Sequence, residues 1–250
     1  QNARQVWTKN SRHAADHAAA GSIESAMELL HQQVGVVNFA PLRPHFMALW
    51  MGAHAASPSG PLGPAVISNL ERIVEGQSAG LPALWTNVGL LIEQLKAAYR
   101  STTKGAFGEA LDTFASLLHM LVFVVAPTRQ ARTEVEELRD LCREYILGLR
   151  MELHKKTLPA QNQIEALELA AYFTHCNLQP IHRMLALRSA MKAAYRIKCY
   201  HLAASFASRL LELSPKPEIA QEAKKVIKFA ETNNTDAHTL NYDERNPFVV

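Results

Sequence analysis

The sequence predicts an all-α protein: an irregular α-solenoid of tetratricopeptide-like helical pairs, interrupted by an inserted extended β-hairpin. Three observations predict it. A short pattern returns three times, as Gly21-x-Ile23-x-x-Ala26-x-x-x-Leu30, Gly105-x-Phe107-x-x-Ala110-x-x-x-Phe114 and Lys198-x-Tyr200-x-x-Ala203-x-x-x-Ala207. Each copy reads as a joint between two helices: a Gly or polar residue turns the chain, a large apolar residue plugs the joint, and the Ala lets the helices approach closely. Between the first two copies, prolines at 41, 44, 58, 61, 64 and 82 and glycines at 52, 60, 63, 76 and 80 interrupt the helical pattern. Strands do not alternate with helices anywhere, which argues against a parallel sheet.

Taken in order, residues 1–38 form an N-terminal helical pair, because Ala14, Ala15 and Ala18 are followed across Gly21 by Ala26, Met27, Leu29 and Leu30. Residues 39–84 are the Pro/Gly-rich insertion. Long helix is not expected there, and the apolar runs Phe46–Met51 and Ala65–Ile67 flank Ser57-Pro-Ser-Gly-Pro-Leu-Gly-Pro64, which suits a protruding hairpin. A floppy linker would not carry Phe39, Phe46, Leu49, Trp50 and Met51, since exposing so many apolar groups costs solubility. Residues 85–231 form the solenoid body. It holds a pair joined at Gly105, a long amphipathic helix over 128–156, a helix from Ile164 to Phe173, a pair joined at Lys198, and a last helix over 219–231. The pentapeptide Lys96-Ala-Ala-Tyr-Arg100 recurs as Lys192-Ala-Ala-Tyr-Arg196 before the second and third joints, in keeping with a shared plan. The joints lie much further apart than one helix-pair repeat, so this is a loose solenoid and not a tandem array. The polar run after Thr232 leaves an extended tail over 232–250.

Composition narrows the function classes. The 26 basic and 23 acidic residues give a net charge of +3, so nothing demands a phosphate backbone or an anionic membrane as partner. Lys224, Lys225 and Lys228 lie among Glu218, Glu222 and Glu231, and the acidic band Glu134, Glu136, Glu137, Asp140 and Glu144 lies among Arg139 and Arg143; both read as solvated helix faces. The longest apolar run, Leu117–Ala126, is broken by His119 and is far short of the roughly 20 residues a membrane span requires. Cys142, Cys176 and Cys199 show no Cys-x-x-Cys spacing and cannot all pair, which fits a reducing compartment, the cytosol. A start at Gln1 without a basic-then-apolar leader is what an excised fragment would show.

The candidate chemistry is thin. His13-x-x-x-His17 would put two imidazoles on one helix face, but no third metal ligand is fixed nearby, Asp16 pointing elsewhere. His175-Cys176 with His182 suggests a Cys–His pair, yet neighbouring side chains on a helix diverge by about 100° and no orienting carboxylate is evident; packed or capping histidines are the simpler reading. Phosphate-loop, dinucleotide and nucleophile-elbow patterns are missing, and Gly60-Pro-Leu-Gly63-Pro has prolines where a phosphate cradle needs free N–H groups. The expectation is therefore a non-enzyme with no catalytic residue, cofactor or metal.

Several segments carry a resemblance. Gln33-Val-Gly-Val36, Glu144-Tyr-Ile-Leu-Gly-Leu149, Ala170-Ala-Tyr-Phe-Thr-His-Cys-Asn-Leu-Gln-Pro-Ile-His182, Ala207-Ser-Arg-Leu-Leu-Glu-Leu213 and Leu240-Asn-Tyr-Asp-Glu-Arg-Asn-Pro-Phe248 together resemble the C-terminal region of coatomer alpha subunits, over almost the whole chain. The resemblance implies a structural subunit of the coat on Golgi and early secretory vesicles, active in intra-Golgi and Golgi-to-ER transport, cytoplasmic and peripheral on those membranes. It also implies that this region docks the coatomer epsilon subunit, a ring-like protein encircling a protruding hairpin, with Phe46–Met51 and Ala65–Leu70 as the two arms. The partner-binding residues would then be Phe39, Phe46, Leu49, Trp50, Met51, Val66, Ile67 and Leu70. Other coat subunits would be reached through the parent chain, with no nucleic acid and no direct membrane insertion. Family members continue past Asn-Pro-Phe into a cysteine-rich, zinc-binding segment that lies outside this sequence. The alternative is a tetratricopeptide-like adaptor that binds a peptide in its helical groove, the Pro-rich segment being only a tether.

Overall fold

The computed structural model describes residues 2–58, 63, 65–74, 77–233 and 235–243. Among these the chain forms eleven α-helices and two small antiparallel hairpins. The helices are α1 (Ala3–Asn10), α2 (Ala14–Ala19), α3 (Ile23–Val34), α4 (Arg43–Gly52), α5 (Val88–Thr103), α6 (Phe107–Leu121), α7 (Arg129–Thr157), α8 (Gln163–Phe173), α9 (Pro180–Arg196), α10 (Tyr200–Glu212) and α11 (Pro217–Thr232). Between α4 and α5 run β1 (His54–Pro58), β2 (Ala65–Asn69), β3 (Glu71–Val74) and β4 (Gln77–Pro82). Two compact units are present: Gln1–Lys96 with Ala115–Arg139, and Ala97–Phe114 with Asp140–Val250.

The three joints share one geometry. Gly21, Gly105 and Lys198 all take left-handed backbone, at φ of 75°, 77° and 62°. In each, the next residue donates its N–H to the carbonyl five positions back: Ser22 to His17, Ala106 to Ser101 and Cys199 to Ala194, at 2.9–3.0 Å. This 6→1 closure satisfies a carbonyl that the helix end would otherwise strand. The three joint alanines, Ala26, Ala110 and Ala203, are completely buried, as a residue chosen to let two helices touch should be. Lys198 bears the Cβ strain that the two glycines avoid, roughly 1–2 kcal/mol, less what glycine loses in the unfolded chain. Lys198→Gly is therefore expected to raise the melting temperature, by ~0.5–1 kcal/mol of stability, which differential scanning calorimetry would register; a drop would contradict the strain.

The first unit closes around Ala14, Ala15, Ala18, Ala26, Leu30, Leu42, Phe46, Leu49 and Phe123, with Phe46 and Phe123 edge to face at 5.2 Å. Residues 1–38 hold three helices where the sequence suggested a pair, because Ser11–His13 breaks the first stretch. His13 sits in extended backbone as the residue before α2, so it does not share a helix face with His17. A second correction concerns Phe46–Met51. This run is helix α4 and not a hairpin arm: Pro44 occupies the first turn, where a missing N–H costs nothing, and Leu42, Phe46, Leu49 and Ala53 are all buried at 4, 3 and 4 residue spacing, the period of a helix face.

In the second unit, α8 to α11 enclose a core of Leu167, Ala170, Ala171, Leu187, Ala190, Met191, Ala203, Phe206, Ala207, Leu210 and Ala223. Six of these residues are alanines, small enough to let helices approach closely. Both copies of the Lys-Ala-Ala-Tyr-Arg pentapeptide lie near helix ends, and their second alanines, Ala98 and Ala194, are completely buried. After α11 the chain runs back as a strap. Asp236 caps α10 by accepting the N–H groups of His201 and Leu202, Asn241 donates its N–H to Glu168, and the Tyr172 hydroxyl donates to the Asn241 carbonyl. The closing Asn-Pro-Phe of the predicted tail lies outside the described residues.

Candidate partner-binding surface

β1 and β2 pair antiparallel from His54↔Asn69 to Pro58↔Ala65. Successive strand residues point to opposite faces, so Val66 and Ile67 belong to the two sides of this ribbon. Both are exposed, at 54% and 57%. A hairpin normally buries one face to be stable, since two strands alone are marginal in water; here apolar side chains stand open on both. The ribbon is held at its base. Leu70 donates its N–H to the Ala53 carbonyl and accepts from the Ala83 N–H, both at 2.8 Å. Residues 65–74 thus form a nearly continuous extended run whose first half pairs with β1 and whose second half pairs with β4.

The expected contact residues separate into two groups. Met51, Val66, Ile67 and Leu70 are exposed, whereas Phe46 and Leu49 are buried in the unit's own core and cannot meet a partner without unfolding it. Phe39 is half-buried and packs on the same core. Trp50 is half-buried as well: its ring stacks on His54 at 4.8 Å, His54 Nδ1–H donates to the Trp50 carbonyl at 2.6 Å, and a Cβ on Gly21 would meet the indole at 3.3 Å. Helix α4 therefore carries the hairpin on its C-terminal end. Ile73 on β3, outside the expected contact set, is 65% exposed as well.

The side chains that suggested chemistry are occupied structurally. His182 is buried between helices. Thr103 Oγ–H donates to the Tyr99 carbonyl at 3.0 Å, so the threonine oxygen accepts His182 Nε2–H at 2.8 Å. That leaves Nδ1 bare to accept the Tyr145 hydroxyl at 2.7 Å, while Tyr145 in turn accepts the Gln179 N–H at 3.0 Å. The chain of bonds runs in one direction and fixes a neutral imidazole; burial accordingly lowers the His182 pKa from its ordinary value. Burial also pushes the Cys142 and Cys176 thiols up to about 12, far from the thiolate a nucleophile needs. His175 meets the Tyr242 hydroxyl at 2.5 Å and Arg209 at 3.5 Å. Among the described residues, no three His, Cys, Asp or Glu side chains gather as a metal site, and no helix is long and apolar enough to cross a membrane.

Fold and surface together define a helical scaffold that displays an apolar hairpin. The chain belongs to the family defined by the C-terminus of the coatomer (COPI) alpha subunit, whose model matches residues 1–250. It is 45% identical to "Coatomer subunit alpha" of Dictyostelium discoideum over 98% of its own length and 20% of that protein's. The corresponding identity is 46% to "Coatomer subunit alpha-1" of Arabidopsis thaliana, over 98% and 20%, and 30% to "Coatomer subunit alpha" of Saccharomyces cerevisiae, over 98% and 21%. The chain thus spans about a fifth of the length of these relatives.

Proposed function

We propose that this chain is the non-catalytic docking region of a coatomer alpha subunit, and that it holds the coatomer epsilon subunit by offering its β1–β2 hairpin to be gripped on both faces. In this reading it serves as a scaffold of the vesicle coat in intra-Golgi and Golgi-to-ER transport, on the cytoplasmic side of those membranes. The observation that carries the proposal is the open pair Val66 and Ile67 on opposite sides of one ribbon. A partner lying against one side would leave the other apolar side in water, whereas one that surrounds the ribbon removes both. Family membership supplies the coat context, and the structural roles of His182, Cys142 and Cys176 support a non-catalytic reading.

A specific observation favours the second reading, a groove that takes a peptide. Met191, Tyr195, Val226 and Phe229 line an open depression of about 570 Å³ along α9 and α11, rimmed by Lys192, Glu222 and Lys225. Excision of Ala55–Ser68 separates the two, and it keeps His54 stacked on Trp50. Because Ala53 and Leu70 are already hydrogen bonded, a two-glycine link closes the gap without disturbing the body. Light scattering of this chain with a cognate epsilon subunit should give the mass of a heterodimer, and the excised chain should stay a monomer in the mixture. A heterodimer that survives excision would move the contact to the groove.

A further inference from the structure

We infer that the second hairpin, β3–β4, is a seat that fixes the direction in which the first hairpin projects, and that the pair Asp16–Arg72 locks that seat. The inference rests on the reading of β1–β2 as the gripped element and adds what aims it.

Asp16, on α2, is completely buried. One carboxylate oxygen accepts Arg72 Nη2–H at 2.6 Å, and the other accepts the Ser11 hydroxyl at 2.6 Å; the Ser11 oxygen itself accepts the His13 N–H at 3.0 Å. A carboxylate is expensive to bury unless it is paired and hydrogen bonded. Its cation comes from β3, 56 residues further on, so the charge is balanced only when the insertion lies against α2. Arg72 also stands where the β3–β4 ladder is irregular. Pairing passes from Glu71↔Pro82 to Ile73↔Ser78, so Arg72 alone faces Ala79, Gly80 and Leu81. A bulge of this kind bends a strand and re-aims a side chain. At its centre Gly80 takes left-handed backbone at φ 61°, and its carbonyl accepts Asn10 Nδ2–H from α1 at 3.2 Å. One strand of the seat is thereby bonded to α1 and the other to α2. Because β2 runs through Leu70 into β3, the ribbon carrying Val66 and Ile67 inherits the seat's orientation.

The test uses the whole chain, a cognate epsilon subunit, and the variants Arg72→Lys and Asp16→Asn/Arg72→Ala. The double variant removes both charges, so no unbalanced carboxylate is left to unfold the body, and its helical circular dichroism should match the parent. Backbone amides of 71–74 and 79–81 in the free chain are expected to exchange at least about tenfold faster. Affinity for the epsilon subunit should fall about tenfold, through a slower association step, because fewer molecules point the ribbon correctly. Arg72→Lys keeps a cation on the carboxylate and should recover most of both effects. Unchanged exchange in the double variant would overturn the seat, and faster exchange with unchanged affinity would overturn its aiming role. If the parent chain itself fails to bind the epsilon subunit, the proposed function falls, while the exchange measurement still decides the seat.

Discussion

A chain carrying aspartate at both Val66 and Ile67 is expected to fold as before and to lose its partner. Both side chains are exposed in the free chain, so the substitutions remove no internal packing and should leave stability within ~0.5 kcal/mol. In the complex each would place a charge in a desolvated contact, a cost of at least ~2 kcal/mol per site for central anchors. Together the two should weaken binding on the order of a thousandfold. The single variants carry more information than the double. If the ribbon is gripped on both faces, Val66→Asp and Ile67→Asp should each cost roughly thirtyfold in Kd. If only one face meets the epsilon subunit, one of them will be silent in titration calorimetry.

The second large effect is on stability. Replacing His182 by alanine removes a buried ring that touches Tyr99 and Tyr145, and it strands the Tyr145 hydroxyl that had donated to Nδ1. A cavity together with an unsatisfied buried polar group should cost about 3–5 kcal/mol, seen as a lower denaturation midpoint with an unchanged slope. The same residue gives the pH dependence its sign. Its folded pKa is lowered by burial, as are those of His45, where burial leads and His119 adds to it, and of His119, through burial. The unfolded chain therefore takes up protons first as pH falls. Stability from these groups is complete above the ordinary imidazole value of 6.5 and declines as pH drops below it. His182→Ala should flatten part of that decline, and an unaltered pH profile would contradict the neutral imidazole.

The sequence made the joints legible because local chemistry decides them. A left-handed residue, a plug and a small residue at fixed spacing leave few alternatives, and even Lys198, which lacks the glycine of the other two, adopts the same closure. Helix α4 was obscured by its surroundings. Pro41, Pro44 and Gly52 look like breakers, yet Pro41 precedes the helix, Pro44 sits in its first turn and Gly52 at its end, places where such residues are harmless. The spacing of Leu42, Phe46, Leu49 and Ala53 was the better guide. Reading the run as a strand turned Phe46 and Leu49 into contact residues, although they form the core on which the hairpin stands. Arg72 and Asp16 could not be paired from the sequence, since nothing local marks a lysine- and arginine-poor stretch as holding the cation that a distant carboxylate requires. Their meeting depends on a bulge that only the strand register reveals.

If the partner holds the first hairpin, hydrogen exchange of the chain alone and with a saturating epsilon subunit will register it there. The expected result is strong protection of amides in 54–57 and 65–70 on binding, with the amides along α9 and α11 at 191–195 and 222–229 unchanged. Protection confined to α9 and α11, with the hairpin exchanging as freely as in the isolated chain, would contradict it and place the partner in the groove.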